Sequence, residues 1–153
     1  MKHALFDVTP PRPKTLRDLR QPEARLVAML RLWHRDEAGQ VQVWNDLCAV
    51  LGSHRARACL SAFEDVLRLL HHHGWRAPSL LPPETNRLSA DETSFARFVL
   101  AATEQDRYAA SAEAHYHVRC EGILPLVLAA SRLGLPLLCE ESRCRLHAAM
   151  RPI

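Results

Sequence analysis

The sequence is poor in the residues from which catalytic loops are commonly built. It has five glycines and two lysines among 153 residues, and 6% of its residues are aromatic. It contains no GxSxG, GxxxxGK, GxGxxG or HExxH segment, which excludes the commonest signatures of hydrolases, nucleotide-binding proteins and zinc proteases. The sequence offers neither a catalytic residue nor a cofactor, and it favours a non-enzymatic protein.

The sequence also lacks the segments that direct a chain to a membrane or across it. Its first residues, MKHALFDVTPP, contain too short an apolar stretch for a signal peptide. No run approaches the roughly 18 apolar residues that a membrane-spanning helix requires. These two absences predict a cytoplasmic protein without a membrane partner.

Cysteine content and charge exclude two further classes of protein. The cysteines are Cys48, Cys59, Cys120, Cys139 and Cys144. They are odd in number and far apart, which predicts free and mostly buried thiols rather than a disulfide framework. Eighteen arginines and two lysines against 17 acidic residues leave a formal charge of +3, which is too small to indicate a nucleic-acid partner by itself.

The chain divides into an arm and one domain. Residues 1–20 contain Pro10, Pro11 and Pro13 among five basic side chains, a composition that favours an extended arm. Residues 21–153 have the length of a single domain, and 48% of the chain is apolar, which is enough for one core.

Apolar residues in this domain recur at helical spacing, with no two-residue alternation typical of a strand. The predicted helices are 22–35, 40–51, 53–73, 89–102, 106–119, 123–133 and 136–150. Ser89 and Glu92 form a capping box at the start of the fourth. We therefore predict an all-α, single-domain bundle of six or seven helices with an extended N-terminal arm.

One predicted helix is apolar on nearly every side. This segment, 123–133, is expected in the middle of the bundle, since a helix without a polar face must be surrounded. Gly134 and Pro136 follow it directly, and we expect them to separate it from the last helix.

Two of the predicted helices have the arrangement of a helix-turn-helix. Segments 44–51 and 54–73 are joined by Gly52 and Ser53, as in a DNA-binding regulator. The groove-facing residues would be His54, Arg55, Arg57 and Ser61. Glu64 and Asp65 would repel phosphate one turn later, and two core helices of a bundle produce the same pattern.

A second hypothesis concerns zinc. In a helix over 106–119, Glu113 and His117 lie one turn apart, and Cys120 follows His117 by three residues. These residue types ligate zinc. No paired-cysteine spacing supports the site, so we expect no bound metal.

The third hypothesis, which we favour, is a helical interaction or regulatory module. The proline-containing segment 75–88 carries residues of the kinds that anchor interfaces, and we expect them to be exposed. They are Trp75, Arg76, Leu80 and Leu81. The sequence thus predicts binding, through the N-terminal arm and one helical face, to a protein partner or to a second copy of the chain.

Overall fold

The computed structural model describes residues 12–150, most of which belong to six α-helices. The helices are α1 (Gln21–Arg35), α2 (Glu37–Leu51), α3 (Ser53–His73), α4 (Ala90–Thr103), α5 (Arg107–His117) and α6 (Cys120–Ala149). A 3-10 turn, Leu16–Asp18, precedes α1, and the described range holds no β-strand. The prediction of a single all-α domain is confirmed.

The predicted arm, residues 1–20, lies partly outside the described range, which begins at residue 12. The part inside it pairs with the loop that precedes α4. The Leu16 N–H donates to the carbonyl of Asn86 at 2.9 Å, and the Leu88 N–H donates to that of Lys14 at 3.3 Å. This part of the arm is therefore attached to the domain.

Local capping explains where two helices begin. The Ser89 hydroxyl accepts the Glu92 N–H at 3.0 Å, and the Glu92 carboxylate accepts the Ser89 N–H at 2.9 Å, so the predicted capping box is confirmed. Helix α2 begins three residues earlier than predicted. The Asp36 carboxylate accepts the Gly39 N–H at 2.7 Å and so satisfies a first-turn amide that would otherwise lack a partner.

The core lies between α3, α4 and α6. Helix α6 packs mainly on α3 and α4, α5 packs on α4 and α6, and α2 packs on α1 and α3. Phe63 of α3 and Phe98 of α4 are fully buried, and the Trp33 ring meets Phe63 edge-on at a centroid distance of 5.6 Å.

The two predicted last helices are one continuous helix, α6, with Pro125 and Pro136 inside it. A proline in a helix interior costs about 3 kcal/mol. Leu133 and Leu137 on either side of Pro136 are buried, and each contributes about 1.5 to 3 kcal/mol, so packing outweighs the cost. Gly134 does not end the helix either. An added Cβ there would lie 2.0 Å from Thr103 Oγ1, so the glycine permits close contact with α4.

The predicted central position of segment 123–133 is confirmed in part: α6 packs on each of the other five described helices, but it is not surrounded on all sides. One side of α6 packs on the core through Leu126, Ala130 and Leu133, while Leu124 and Leu128 on the other side are exposed. The apolar outer side is therefore a surface feature, which periodicity alone did not distinguish from burial.

Candidate interaction surfaces and a polar cavity

Asp91, in the first turn of α4, holds the start of the long loop between α3 and α4. Its carboxylate accepts two hydrogen bonds from Arg76, at 2.6 and 2.9 Å, and one from the Ser79 N–H at 2.6 Å. The Tyr116 hydroxyl donates a fourth, at 2.7 Å. The hydrogen bonds from Arg76 hold the pKa of Asp91 far below its ordinary value, so the carboxylate stays ionised at any physiological pH.

The next residue, Glu92, holds the middle of the same loop through a buried ion pair. Its side chain and that of Arg31 are 0% and 1% exposed, and their closest atoms are 2.6 Å apart. Arg31 also donates to the carbonyls of Thr85 and Arg87, at 2.7 and 2.6 Å. Glu92 accepts the Leu81 N–H at 3.0 Å. The loop is thus a fixed excursion tied to α4 and α1.

Sequence reasoning did not identify Arg31, Asp91 or Tyr116 as members of a polar network. Glu92 was identified only as half of a capping box. That motif was the single available signal, because a carboxylate in the first turn of a helix is usually explained by the helix itself. The partners come from segments up to 61 residues away.

His117, the last residue of α5, borders a small cavity under this loop. The other lining residues are Leu30, Leu70, Arg76, Pro78, Asp91, Phe95 and Tyr116, and the volume is about 20 Å³. The His117 Nε2 atom is buried and has no hydrogen-bond partner. Burial lowers the pKa of His117, so the imidazole is neutral at pH 7.

A larger groove of about 450 Å³ lies beside the cavity and shares three of its lining residues, Leu70, Arg76 and Pro78. Leu67 and Ala77 extend its apolar walls, and His34 and His71 also line it. The cavity and the groove together form the most enclosed mixed polar and apolar surface near the loop.

The four predicted interaction residues differ in exposure. Trp75 is 58% exposed, and its Nε1–H donates to the His115 carbonyl at 3.1 Å. Arg76 is also exposed, but its guanidinium is committed to Asp91. Leu80 and Leu81 are half-buried, and Leu80 packs on the core. The expectation that both leucines are exposed is wrong, because the ion pairs draw this part of the loop onto the domain.

The outer side of α6 is the most apolar exposed face in the described part of the chain. Leu124, Leu128 and Leu135 are 68%, 51% and 57% exposed, and Leu146 nearer the C-terminal end is 65% exposed. The side chains lie on one side of the helix because their spacings are close to whole turns. Between Gly122 and Cys139 the only charged residue is Arg132.

Helix α6 is also long and apolar enough to cross a membrane, contrary to the expectation that the chain has no such segment. Only the length and the composition of α6 support this possibility. Its other side packs on α3 and α4, as the core helix of a compact domain does.

The helix-turn-helix candidates lie at the start of α3. Gly52 joins α2 to α3 with φ 81°, and the four proposed groove-facing residues are exposed. They are His54, Arg55, Arg57 and Ser61. Arg57 and Ser61 lie one turn apart on the same face as His54, whereas Arg55 points about 100° away from His54 and about 160° away from Arg57.

The zinc candidates do not form a cluster. Helix α5 ends at His117 and Cys120 begins α6, so the premise of one helix carrying all three is wrong. The reason is a pairing with the end of α3: the Arg119 N–H donates to the His73 carbonyl at 3.0 Å, which fixes an extended connection. Glu113 accepts a hydrogen bond from Ser94. Between residues 12 and 150, no three metal-ligating side chains come together.

The five cysteines are free thiols. Cys59 is buried, whereas Cys120, Cys139 and Cys144 are exposed. The expectation that most are buried is wrong, because the last three lie on the outer side or the ends of α6.

Comparison of the chain with protein-family models, curated proteins and solved structures finds no match to any of them.

Proposed function

We propose that this protein is a non-enzymatic interaction module that binds a second copy of itself through the outer side of α6. The observation that carries the proposal is the row of exposed leucines on that helix. Soluble monomers seldom expose a continuous apolar strip of this kind, and such strips commonly mark interaction sites.

The charges beside the leucines favour a second copy over an unrelated partner. Glu121 and Arg132 are exposed on the same flank of α6, and neither forms an ion pair with any residue in the range 12–150. Leu124 and Leu128 lie between them. The order Glu, Leu, Leu, Arg is nearly symmetric about the point between residues 126 and 127.

An antiparallel copy related by a two-fold axis at that point satisfies the whole pattern. Each Glu121 would lie opposite Arg132 of the other copy. Within one copy, Glu121 and Arg132 are about 16 Å apart along the helix axis. Leu124 would lie opposite Leu128 of the other copy. A two-fold interface uses the same patch on both subunits, and this segment is complementary to itself in both charge and apolar contact.

A membrane is the other surface that would cover exposed leucines. Crossing it would require α6 to leave α3 and α4, with loss of the burial of Leu126, Leu133 and Leu137. The charged side chains of Glu121 and Arg132 would be costly to place in a lipid interior, whereas they pair in the antiparallel dimer. We therefore favour the second copy.

Analytical ultracentrifugation over a concentration series tests this proposal. We expect a reversible dimer for the wild type. Glu121→Arg places like charges together at two symmetric points and should raise Kd at least tenfold. The double variant Glu121→Arg with Arg132→Glu restores both pairs with reversed sign, and its Kd should return to within about threefold of the wild type.

Leu146→Glu is the matched control, because Leu146 is an exposed leucine on the same side of α6 but lies 14 residues beyond Arg132, outside the segment 121–132 that the two-fold arrangement brings into contact. It should leave Kd unchanged. A wild-type monomer at all concentrations would refute the proposal, and flotation of that monomer with phosphatidylcholine–phosphatidylserine vesicles would assign the leucines to a membrane. Failure of the double variant to recover would refute the antiparallel arrangement.

A DNA-binding regulator is the second candidate, supported by the exposure of Arg55 and Arg57 in the first turns of α3. It predicts binding to duplex DNA that weakens steeply with salt, and that weakens further when both arginines are changed to alanine. Arg68→Ala, on the same helix, is the control. Absence of any complex at low salt would refute this function.

A further inference from the structure

The His117 Nε2 atom is the one buried side-chain nitrogen or oxygen between residues 12 and 150 that has no hydrogen-bond partner. Buried polar groups are almost always paired, and each exception requires an explanation. The ring is held at the cavity wall by its neighbours, with the Tyr116 ring edge-on at a centroid distance of 5.1 Å.

No other polar group of the cavity is hydrogen-bonded to Nε2. Each oxygen of Asp91 already accepts two hydrogen bonds, from Arg76 with Ser79 and from Arg76 with Tyr116. The Tyr116 hydroxyl donates its single hydrogen to Asp91. The remaining walls are apolar: Leu30, Leu70, Pro78 and Phe95. The Nε2 atom is therefore open to a hydrogen bond from a molecule that enters the cavity from outside the chain.

The dimensions of the two neighbouring spaces limit what that partner is. The cavity, about 20 Å³, has room for one group of the size of a water molecule. The adjoining groove, about 450 Å³, is within the range of small-molecule pockets. A ligand that fits both has a small polar head and a larger apolar body.

We propose that this site binds a small hydroxylated aromatic molecule, with its hydroxyl on His117 Nε2 and its ring in the groove against Leu70 and Pro78. A hydroxyl both donates and accepts, so it pairs with either tautomer of the neutral imidazole. A charged head would lose its hydration in the cavity, and a carboxylate would also lie beside Asp91. The apolar groove walls suit a ring better than a sugar or a phosphate.

Titration with p-cresol, followed by the ring NMR signals of His117, tests the site. Toluene has the same body without the hydroxyl and is the matched probe. We expect p-cresol to bind about five times more tightly than toluene, the ratio that one neutral hydrogen bond supplies. In His117→Phe, where the NMR signals of the ligand report binding instead, the ratio should fall to about one, with toluene binding retained.

Three results would overturn the proposal. Equal affinity of the wild type for the two probes would show that no hydrogen bond forms between the p-cresol hydroxyl and His117. The absence of a saturable shift of the His117 signals would show that the probes do not bind at this site. Binding of N-acetyltyrosinamide at least tenfold more tightly than p-cresol would assign the groove to a tyrosine of a protein partner instead of a free small molecule. If His117→Phe does not fold, His117→Leu, which also lacks a hydrogen-bonding group, replaces it, and the wild-type ratio still decides.

Discussion

The buried ion pair between Arg31 and Glu92 gives the sharpest prediction for the stability of the fold. Both side chains are at most 1% exposed, and Arg31 in addition supplies the hydrogens for the carbonyls of Thr85 and Arg87. Arg31→Met keeps most of the side-chain volume but leaves the Glu92 carboxylate buried without a counter-ion. Breaking a buried pair from one side costs about 3 to 5 kcal/mol.

For a domain of this size, that loss lowers Tm by roughly 6 to 20 °C. Urea unfolding followed by circular dichroism measures the free energy directly. Arg68→Met is the matched control, because Arg68 pairs with Asp65 at 2.8 Å but its side chain is 71% exposed. It should cost at most about 0.5 kcal/mol. A loss for Arg31→Met of less than about 1 kcal/mol would refute the assignment of this pair as the main attachment of the loop.

Two further predictions concern pH and packing. Hydrogen bonds, chiefly from Arg76, lower the pKa of Asp91; burial opposes the lowering for Glu92, but hydrogen bonds from Arg31, Ser89 and Leu81 outweigh it. The stability that both carboxylates provide is therefore present at pH values above their ordinary pKa values of 3.8 and 4.5, and it is lost as the pH falls through their lower pKa values in the folded protein. In acid titrations at fixed urea concentration, Asp91→Asn should lose less stability below pH 4 than the wild type does. Parallel curves for the two proteins would contradict this prediction. Gly134→Ala should destabilise by about 1 to 3 kcal/mol in urea melts, since its Cβ would meet Thr103 and Val99 at 2.0 to 3.1 Å. A variant as stable as the wild type would show that α4 and α6 are not in close contact there.

Much of the helical framework could be predicted from the sequence, because local signals and tertiary packing agree there. Helix α3 follows a continuous apolar face that ends at Gly74, and the Ser89 capping box fixes the start of α4. The error at Gly134 and Pro136 has a physical origin. Both residues weaken an isolated helix, and only the contact of Gly134 with Thr103 reveals that here they belong to one.

The candidate site was harder to predict than the fold. Its residues come from α1, the loop, α4 and α5, and no spacing in the sequence brings Arg31, Asp91 and His117 together. His117 was noticed, but as a zinc ligand with Cys120, on the assumption that α5 continues to Arg119. The extended connection after His117 depends on its pairing with the end of α3, a contact between residues that are distant in the sequence.

The charge arrangement at the start of α4 also explains why the Nε2 atom of His117 has no partner within the chain. Asp91 and Glu92 lie near the positive end of the helix dipole, and the hydrogen bonds that they accept hold the loop or Arg31. An unpaired buried nitrogen costs about 1 to 3 kcal/mol. A leucine or phenylalanine at this position would avoid that cost, since Leu30, Leu70 and Phe95 line the same cavity. A hydroxyl group from a bound molecule would pair with Nε2 and offset this cost.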